Sequence, residues 1–217
     1  MAVASSHTAA IFCSLESPAV EEVLREAPVL DLGTGETVGP ARLADVSMLL
    51  VESGLALIRA DHPRTFREVV VCHAGPGALV LPPRAGEVLV ALVPTRATVL
   101  TEGLRDRLLA IPGAAPVLFD ALATTVRQKH RTIEALARPH HLDRLRAKLL
   151  QLAADHGVVG PDGVRLDLPL THELLAEMVG SARETVTRSL DELQSEGFIT
   201  RRGRSYRLTV DPDHLPM

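Results

Sequence analysis

Residues 170–210 read LTHELLAEMVGSARETVTRSLDELQSEGFITRRGRSYRLTV, and this segment is the most informative about the structure of the C-terminal part of the chain. Thr171 is placed to cap a short helix, and Gly180 permits a tight turn because glycine adopts positive φ without strain. Ser181 with Glu184 three positions later forms a capping-box pattern, which predicts that a second helix starts here. Two short helices joined by a glycine turn are typical of a helix-turn-helix.

The second predicted helix has one apolar and one polar face. Its apolar stripe, which ends before Gly197, consists of Val186, Leu190 and Leu193. Its polar face carries, in the first two turns, Arg183, Glu184, Thr187 and Arg188. Arginine bonds guanine bidentately and glutamate accepts from cytosine, so this face suits base readout in the major groove. The alternative is an ordinary surface ion pair between Glu184 and Arg188 at i, i+4.

A basic hairpin follows the second helix. FITRR and SYRLTV flank Gly203-Arg204, which predicts two short strands joined by a turn, and the arginines at 201, 202 and 204 are candidates to bind phosphates as a wing. The net charge of the chain is −4, but residues 183–207 hold six Arg and four acidic residues. The order of cap, turn, buried stripe, polar face and basic hairpin favours DNA binding over the ion-pair alternative.

The N-terminal half is rich in strand-like segments. Between about Val29 and Gly103, short Val- and Leu-rich segments are punctuated by Gly or Pro, at 47–53, 55–61, 67–74, 78–82, 87–94 and 97–102. This spacing predicts a small antiparallel sandwich or barrel. A short helix at 104–111 and a long helix from about Ala114 to Arg138 follow, and Pro139 ends the long helix.

The long helix carries an apolar stripe that needs a partner. The stripe, interrupted by Lys129, comprises Leu118, Leu122, Val126, Ile133 and Leu136. From these residues alone, packing on the preceding β-domain and a dimer seam between two helices are equally good interpretations. Beyond Pro139, the pattern predicts a hinge at His140-His141, a helix from about Leu142 that ends near Gly157, a loop at 158–164 and a strand at 164–169.

Several function classes lack support in the sequence. The two cysteines, Cys13 and Cys72, show no CxxC spacing, so neither a cysteine zinc site nor a disulfide framework is indicated, and no metal ligands are assigned. No phosphate-cradling Gly loop, HExxH or GxSxG occurs, so an enzyme with an appended winged helix has no catalytic residues to assign. Neither a signal peptide nor a membrane span is indicated, and we expect a cytoplasmic protein without membrane contact.

The segment GSARETVTRSLDELQSEGFI (180–199) resembles the signature of the CRP/FNR family of transcription regulators. The resemblance implies an α+β fold: an N-terminal antiparallel β jelly-roll like a cyclic-nucleotide-binding domain (1–112), a long dimerisation helix (113–138) and a C-terminal winged helix-turn-helix (139–217). It also implies a homodimer on palindromic double-stranded DNA, with the long-helix stripe as the dimer seam. RNA polymerase is a further candidate partner.

The resemblance also implies roles for individual residues. Arg183, Glu184 and Arg188 would read bases of a TGTGA-like half-site, while Thr171 and Ser181 would contact phosphate. The β-domain departs from the cyclic-nucleotide pattern, because Pro82-Pro83 stands where a Gly-Glu pair is expected and no Arg-Ser or Arg-Thr follows.

We therefore expect DNA binding that does not depend on cyclic AMP, and no cofactor. The isolated Gly86-Glu87 pair is better interpreted as a turn than as a ribose clamp. Two alternatives stay open: a regulator gated by an unidentified small ligand, or by haem bound through a residue such as His73, and a winged helix used only for protein contacts.

Overall fold

The computed structural model describes residues 10–62, 67–203 and 205–211. The fold is α+β: an antiparallel β-sheet domain, a long helix and a helix-turn-helix with a small sheet follow one another along the chain. The chain divides into two compact units, Met1–Ile58 with His73–Gln128 and Arg59–Cys72 with Lys129–Met217.

The described helices and strands have the following bounds. The helices are α1 (Pro18–Glu26), α2 (Glu102–Leu109), α3 (Ala114–Leu136), α4 (His141–His156), α5 (His172–Val179) and α6 (Arg183–Ser195). The strands are β1 (Val29–Leu32), β2 (Thr37–Val38), β3 (Val46–His62), β4 (Arg67–Ala74), β5 (Leu79–Val80), β6 (Glu87–Thr101), β7 (Val158–Gly160), β8 (Gly163–Leu166), β9 (Ile199–Arg202) and β10 (Ser205–Leu208).

The N-terminal sheet has the order β1-β6-β3-β4, with β2 also paired to β6 and β5 to β3. The pairs β1–β6, β2–β6 and β3–β5 are antiparallel. The antiparallel β-domain expected from the spacing of the strand-like segments is confirmed.

Two predicted strand breaks are wrong. The segments 47–53 and 55–61 form the single strand β3, and 87–94 with most of 97–102 form the single strand β6. Gly54 has φ +87° and lies so close to β6 that a Cβ there would be 2.2 Å from the carbonyl oxygen of Pro94. The Thr95 hydroxyl accepts the Leu55 N–H at 3.1 Å. Gly54 therefore bends the strand without ending it, as glycine does at strand irregularities.

Helices α1, α2 and the start of α3 close an aliphatic core in the first unit. Buried members from each are Val20, Leu108 and Leu118, which cluster with Leu50 and Leu100 of the sheet. Leu118 is only 7 % exposed. It therefore lies in the core of its own domain, which leaves little of its side chain for the predicted dimer seam.

The second unit contains the winged helix. Its sheet has the order β7-β8-β10-β9, and each neighbouring pair is antiparallel. The loop predicted at 158–164 is instead a hairpin, because β7 and β8 pair from Val158↔Arg165 to Gly160↔Gly163. The predicted helix beyond Pro139 is confirmed as α4, which buries Leu145, Leu149 and Leu152.

The long helix is confirmed with nearly the expected bounds, since α3 ends at Leu136 rather than at Arg138. Among the described residues, no single helix is long and apolar enough to cross a membrane. Only α2 and α3 taken together, across a bend of 120°, pass that test of length and composition.

Candidate nucleic-acid interface

The first helix of the predicted helix-turn-helix begins and ends as the sequence indicates. Thr171 is the N-cap of α5, and its Oγ1 accepts the Leu174 N–H at 3.1 Å. Gly180 ends the helix in the left-handed conformation, with φ 58° and ψ 50°. The helix buries Leu174, Leu175, Met178 and Val179. Both the cap and the turn are therefore confirmed.

The capping box at the second helix is wrong. The N-cap of α6 is Ala182, which has no side-chain cap, and the helix begins at Arg183. Ser181 is buried; its N–H returns to the Ala176 carbonyl at 3.0 Å, and its Oγ lies 3.0 Å from His141 Nδ1. Because Ser181 completes the turn out of α5 and faces a residue of α4, its hydroxyl is not available to cap α6.

The exposed face of α6 matches the predicted readout face. Arg183, Glu184 and Arg188 are exposed on its first two turns. The apolar stripe on the opposite side is buried at Val186, Leu190 and Leu193.

The contacts of Glu184 and Arg188 do not support an ordinary ion pair between them. Within the described part of the chain, Glu184 and Arg188 form no ion pair with each other; Arg188 Nε lies 3.5 Å from the backbone carbonyl oxygen of Glu184. The charged ends of these side chains remain available to a ligand.

The fourth predicted readout residue, Thr187, is held in a polar chain. Its Oγ1 donates to the Arg183 carbonyl at 3.0 Å and lies 2.7 Å from His172 Nδ1. His172 Nε2 in turn lies 3.0 Å from Arg201 Nη1. One imidazole therefore links α5, α6 and β9.

His172 itself was missed from the sequence. Its only signal there was its place directly after the capping residue Thr171. Partial burial lowers the pKa of His172, and the nearby guanidinium groups of Arg201 and Arg183 lower it further, while Asp191 opposes them. The imidazole is therefore neutral at neutral pH.

The wing predicted after Gly197 is confirmed as the β9–β10 hairpin, with Ser205 opposite Arg202 and Tyr206 opposite Arg201. Arg201 and Arg202 are exposed, and Arg201 Nε donates to the Gly203 carbonyl at 2.9 Å. The third predicted phosphate-binding arginine, Arg204, lies outside the described residues.

The stripe on α3 is largely uncovered. Leu122, Val126, Ile133 and Leu136 are exposed by 39, 43, 63 and 37 %. Phe119, which the sequence analysis did not include, is 70 % exposed. Positions 119, 122, 126, 129, 133 and 136 alternate in steps of three and four, which is the repeat of a coiled-coil seam.

Comparison with known proteins shows what the chain is similar to. The Crp-like helix-turn-helix domain model matches residues 143–215, the segment that holds α4, α5, α6 and the wing. Over almost the whole chain, the sequence is 26% identical to the CRP-like cAMP-activated global transcriptional regulator of Mycobacterium tuberculosis, in an alignment of 214 residues that covers 95% of each protein. These matches relate the chain to the CRP/FNR family, and they are most specific over residues 143–215. This is a family of transcription regulators, not of enzymes.

Other regulators give higher identity over shorter stretches. The Global nitrogen regulator of Synechococcus elongatus is 37% identical over 111 residues, which is 51% of this chain and 50% of that protein. The chain thus spans about half the length of this relative.

Solved structures show the shared CRP-like fold. A CooA variant from Carboxydothermus hydrogenoformans has a TM-score of 0.75 at 21% identity, covering 93% of this chain and 92% of that one. A CRP/FNR-family regulator from Thermus thermophilus has a TM-score of 0.64 at 24% identity, covering 87% of this chain and 96% of that one.

Proposed function

We propose that this CRP/FNR-family chain is a sequence-specific DNA-binding transcription regulator that acts in the cytoplasm as a homodimer on a palindromic operator, without cyclic AMP. The observation that carries the proposal is the face of α6. Three charged side chains, Arg183, Glu184 and Arg188, are exposed on its first two turns, on the side opposite a buried stripe and in the same domain as a basic hairpin. That is the arrangement of a recognition helix with a wing.

The chemistry of each group defines its proposed contact. Arg183 and Arg188 bind guanine O6 and N7, and Glu184 accepts from cytosine N4. Arg201, Arg202 and Arg204 bind phosphates.

The two hydroxyl groups assigned to phosphate differ in their support. Thr171 is exposed and uses only an acceptor lone pair for the cap, so its O–H remains free to donate to a phosphate. Ser181 is buried beside His141, and its proposed phosphate contact is therefore the weaker of the two.

A second copy of this chain is the proposed partner of the α3 stripe. The exposed residues repeat with coiled-coil spacing, and such a seam requires a helix with the same repeat, which a second copy supplies. A two-fold dimer sets two recognition helices about 34 Å apart, one DNA turn, and so requires a palindromic site.

Each part of the chain has its own proposed role. Residues 1–112 form the sensor-like domain, 113–138 the dimerisation helix and 139–217 the DNA-binding domain. RNA polymerase is the proposed partner at promoter operators.

The β-domain lacks support for cyclic-nucleotide binding. Pro82 and Pro83 lie in the segment between β5 and β6, and proline supplies no N–H to a phosphate. Arg96 is paired, with Nη1 3.2 Å from Asp31 and Nε 3.3 Å from Glu52. A cyclic phosphate in this domain would have to displace two carboxylates before it met that guanidinium.

The same region supports the turn interpretation of Gly86-Glu87. Gly86 has φ +81°, and the Glu87 carboxylate accepts the Arg84 N–H at 2.9 Å. The carboxylate that a ribose hydroxyl would need is therefore already engaged in a turn.

Selection from a random duplex library tests the proposal. Purified protein without added ligand is expected to enrich one palindrome, with half-site centres about 10 base pairs apart or a multiple of that spacing. Arg165→Ala, on β8, is the control for loss of one exposed arginine, because Arg165 is paired with Asp167 and not assigned to DNA. No enrichment by wild-type protein, with or without cyclic AMP, would contradict sequence-specific binding.

A further inference from the structure

Three hydrogen bonds join Arg201, His172, Thr187 and the Arg183 carbonyl, and their donors and acceptors can be assigned in only one way. The Thr187 hydroxyl donates its single proton to the Arg183 carbonyl, 3.0 Å away. Its oxygen must therefore act as acceptor toward His172 Nδ1 at 2.7 Å, which places the imidazole proton on Nδ1. Nε2 then carries a lone pair, and it accepts from Arg201 Nη1 at 3.0 Å. Each donor meets an acceptor only with a neutral imidazole in this tautomer.

This direction removes most of the hydrogen-bonding capacity of Thr187. A hydroxyl has one proton and two lone pairs. The proton and one lone pair are used inside the domain, so the hydroxyl has no proton to give to a base. The other branch at Cβ is the γ-methyl, on a side chain that remains partly exposed between Arg183 and Arg188 on the readout face.

We propose that Thr187 reads a thymine through its γ-methyl group, and that His172 is the positioning residue that holds the hydroxyl away from the bases. The inference rests on the proposed function, since it assigns one contact of the same recognition helix. The C5-methyl of thymine is the apolar feature of the major groove, and the threonine methyl is among the groups that contact it.

His172 also holds an arginine of the wing. The Arg201 guanidinium is held at two points, by His172 Nε2 through Nη1 and by the Gly203 carbonyl through Nε. A protonated His172 would offer a donor at Nε2 and lose this contact. The charged groups that face the imidazole are Arg201 on β9 and Arg183 and Asp191 on α6. The positive charge on its two arginine neighbours favours the neutral imidazole ring that these three hydrogen bonds require.

Replacement of single thymines by uracil in the selected operator tests the inference, because uracil lacks only the C5-methyl. The operator affinity is expected to depend on the methyl group of one thymine in the half-site. Replacement of that thymine by uracil should weaken binding about three- to fourfold, which is the effect of one buried methyl group. Thr187→Val keeps the methyl and should keep this discrimination. Thr187→Ser keeps the hydroxyl and should lose it.

Two further measurements separate the outcomes. His172→Ala should reduce the uracil discrimination without abolishing operator binding, because only the hydrogen bond to the Arg183 carbonyl then holds the threonine rotamer. Unchanged discrimination would exclude the positioning role. Thermal melting checks that each variant folds. If Thr187→Ser still discriminates, or if no thymine methyl matters to the wild-type protein, the methyl contact is refuted while sequence-specific binding stands. If no operator is selected at all, the proposed function itself fails.

Discussion

Lys148 provides a quantitative test of how α3 and α4 are joined. Its side chain is only 1 % exposed, and its Nζ donates to Gln151 Oε1 at 2.8 Å and to Thr132 Oγ1 at 3.3 Å. Gln151 lies on α4 and Thr132 on α3, so a buried ammonium group bridges the two helices. Burial lowers the pKa of Lys148 from 10.5 to about 8, against the opposing attraction of the Asp155 carboxylate.

The size and sign of the effect on stability follow from this pKa. A fall from 10.5 to about 8 corresponds to about 3 kcal/mol of destabilisation when the lysine is charged in both states. Below about pH 8 both the folded and unfolded states bind the proton, and the full cost applies. Between about 8 and 10.5 the unfolded state binds more protons, so stability rises with pH and the cost disappears.

The perturbation is Lys148→Met, and the assay is urea unfolding from about pH 7 to about pH 11 at fixed protein concentration. The wild-type free energy of unfolding should rise by about 3 kcal/mol relative to the variant across this range. The slope is the readout, because the substitution also removes one donor from Gln151 and so shifts the whole curve. Arg165→Ala, which removes an exposed cation outside the α3 stripe, is the control and should give a curve parallel to that of the wild type. Parallel curves for wild type and Lys148→Met would show that the folded state does not lower the pKa of Lys148.

Four further measurements test the dimer seam, the wing, the β-domain and the His172 bridge. Ile133→Asp, in the exposed α3 stripe, should give a monomer by light scattering and a loss of operator affinity of about tenfold or more, whereas a dimer with normal affinity would exclude the seam. Arg202→Ala should weaken operator and random DNA alike and reduce the salt slope by about 1, and a loss confined to the operator would contradict its phosphate role. Titration calorimetry with cyclic AMP should show no heat of binding. A micromolar cyclic-AMP site that raises operator affinity would contradict the proposal that DNA binding does not depend on cyclic AMP. Because folding lowers the pKa of His172, the unfolded state binds the proton more readily, and the free energy of unfolding should fall as the pH drops below 6.5. His172→Gln should make this fall smaller in denaturation curves. An unchanged fall would contradict the neutral His172 bridge.

The helix-turn-helix could be predicted because its determinants are local. The Thr171 cap, the left-handed Gly180 and the buried stripe of α6 each depend on residues within one or two turns of helix. The same local reasoning failed at Ser181. Its hydroxyl faces His141, 40 positions earlier in the chain, and no local pattern could indicate that contact.

Contacts distant in sequence also explain the remaining differences. Gly54 looks like a strand break, but a close approach to Pro94 makes it a bend within β3. Leu118 fits the helical stripe of α3, yet the neighbouring α1 and α2 helices bury it. The link from Thr187 through His172 to Arg201 needs three elements folded together, so only the candidate readout residue, and not its fixed orientation, could be predicted from the sequence.

Base readout by α6 is tested by competition between the selected operator and a scrambled duplex for wild-type protein, Arg183→Ala and Arg165→Ala at one salt concentration. Arg183→Ala should lose about 1–3 kcal/mol of binding free energy on the operator and much less on the scrambled duplex, and it should lose its preference at one base pair. Arg165→Ala should behave as wild type. Equal losses on both duplexes for Arg183→Ala would contradict base readout by α6.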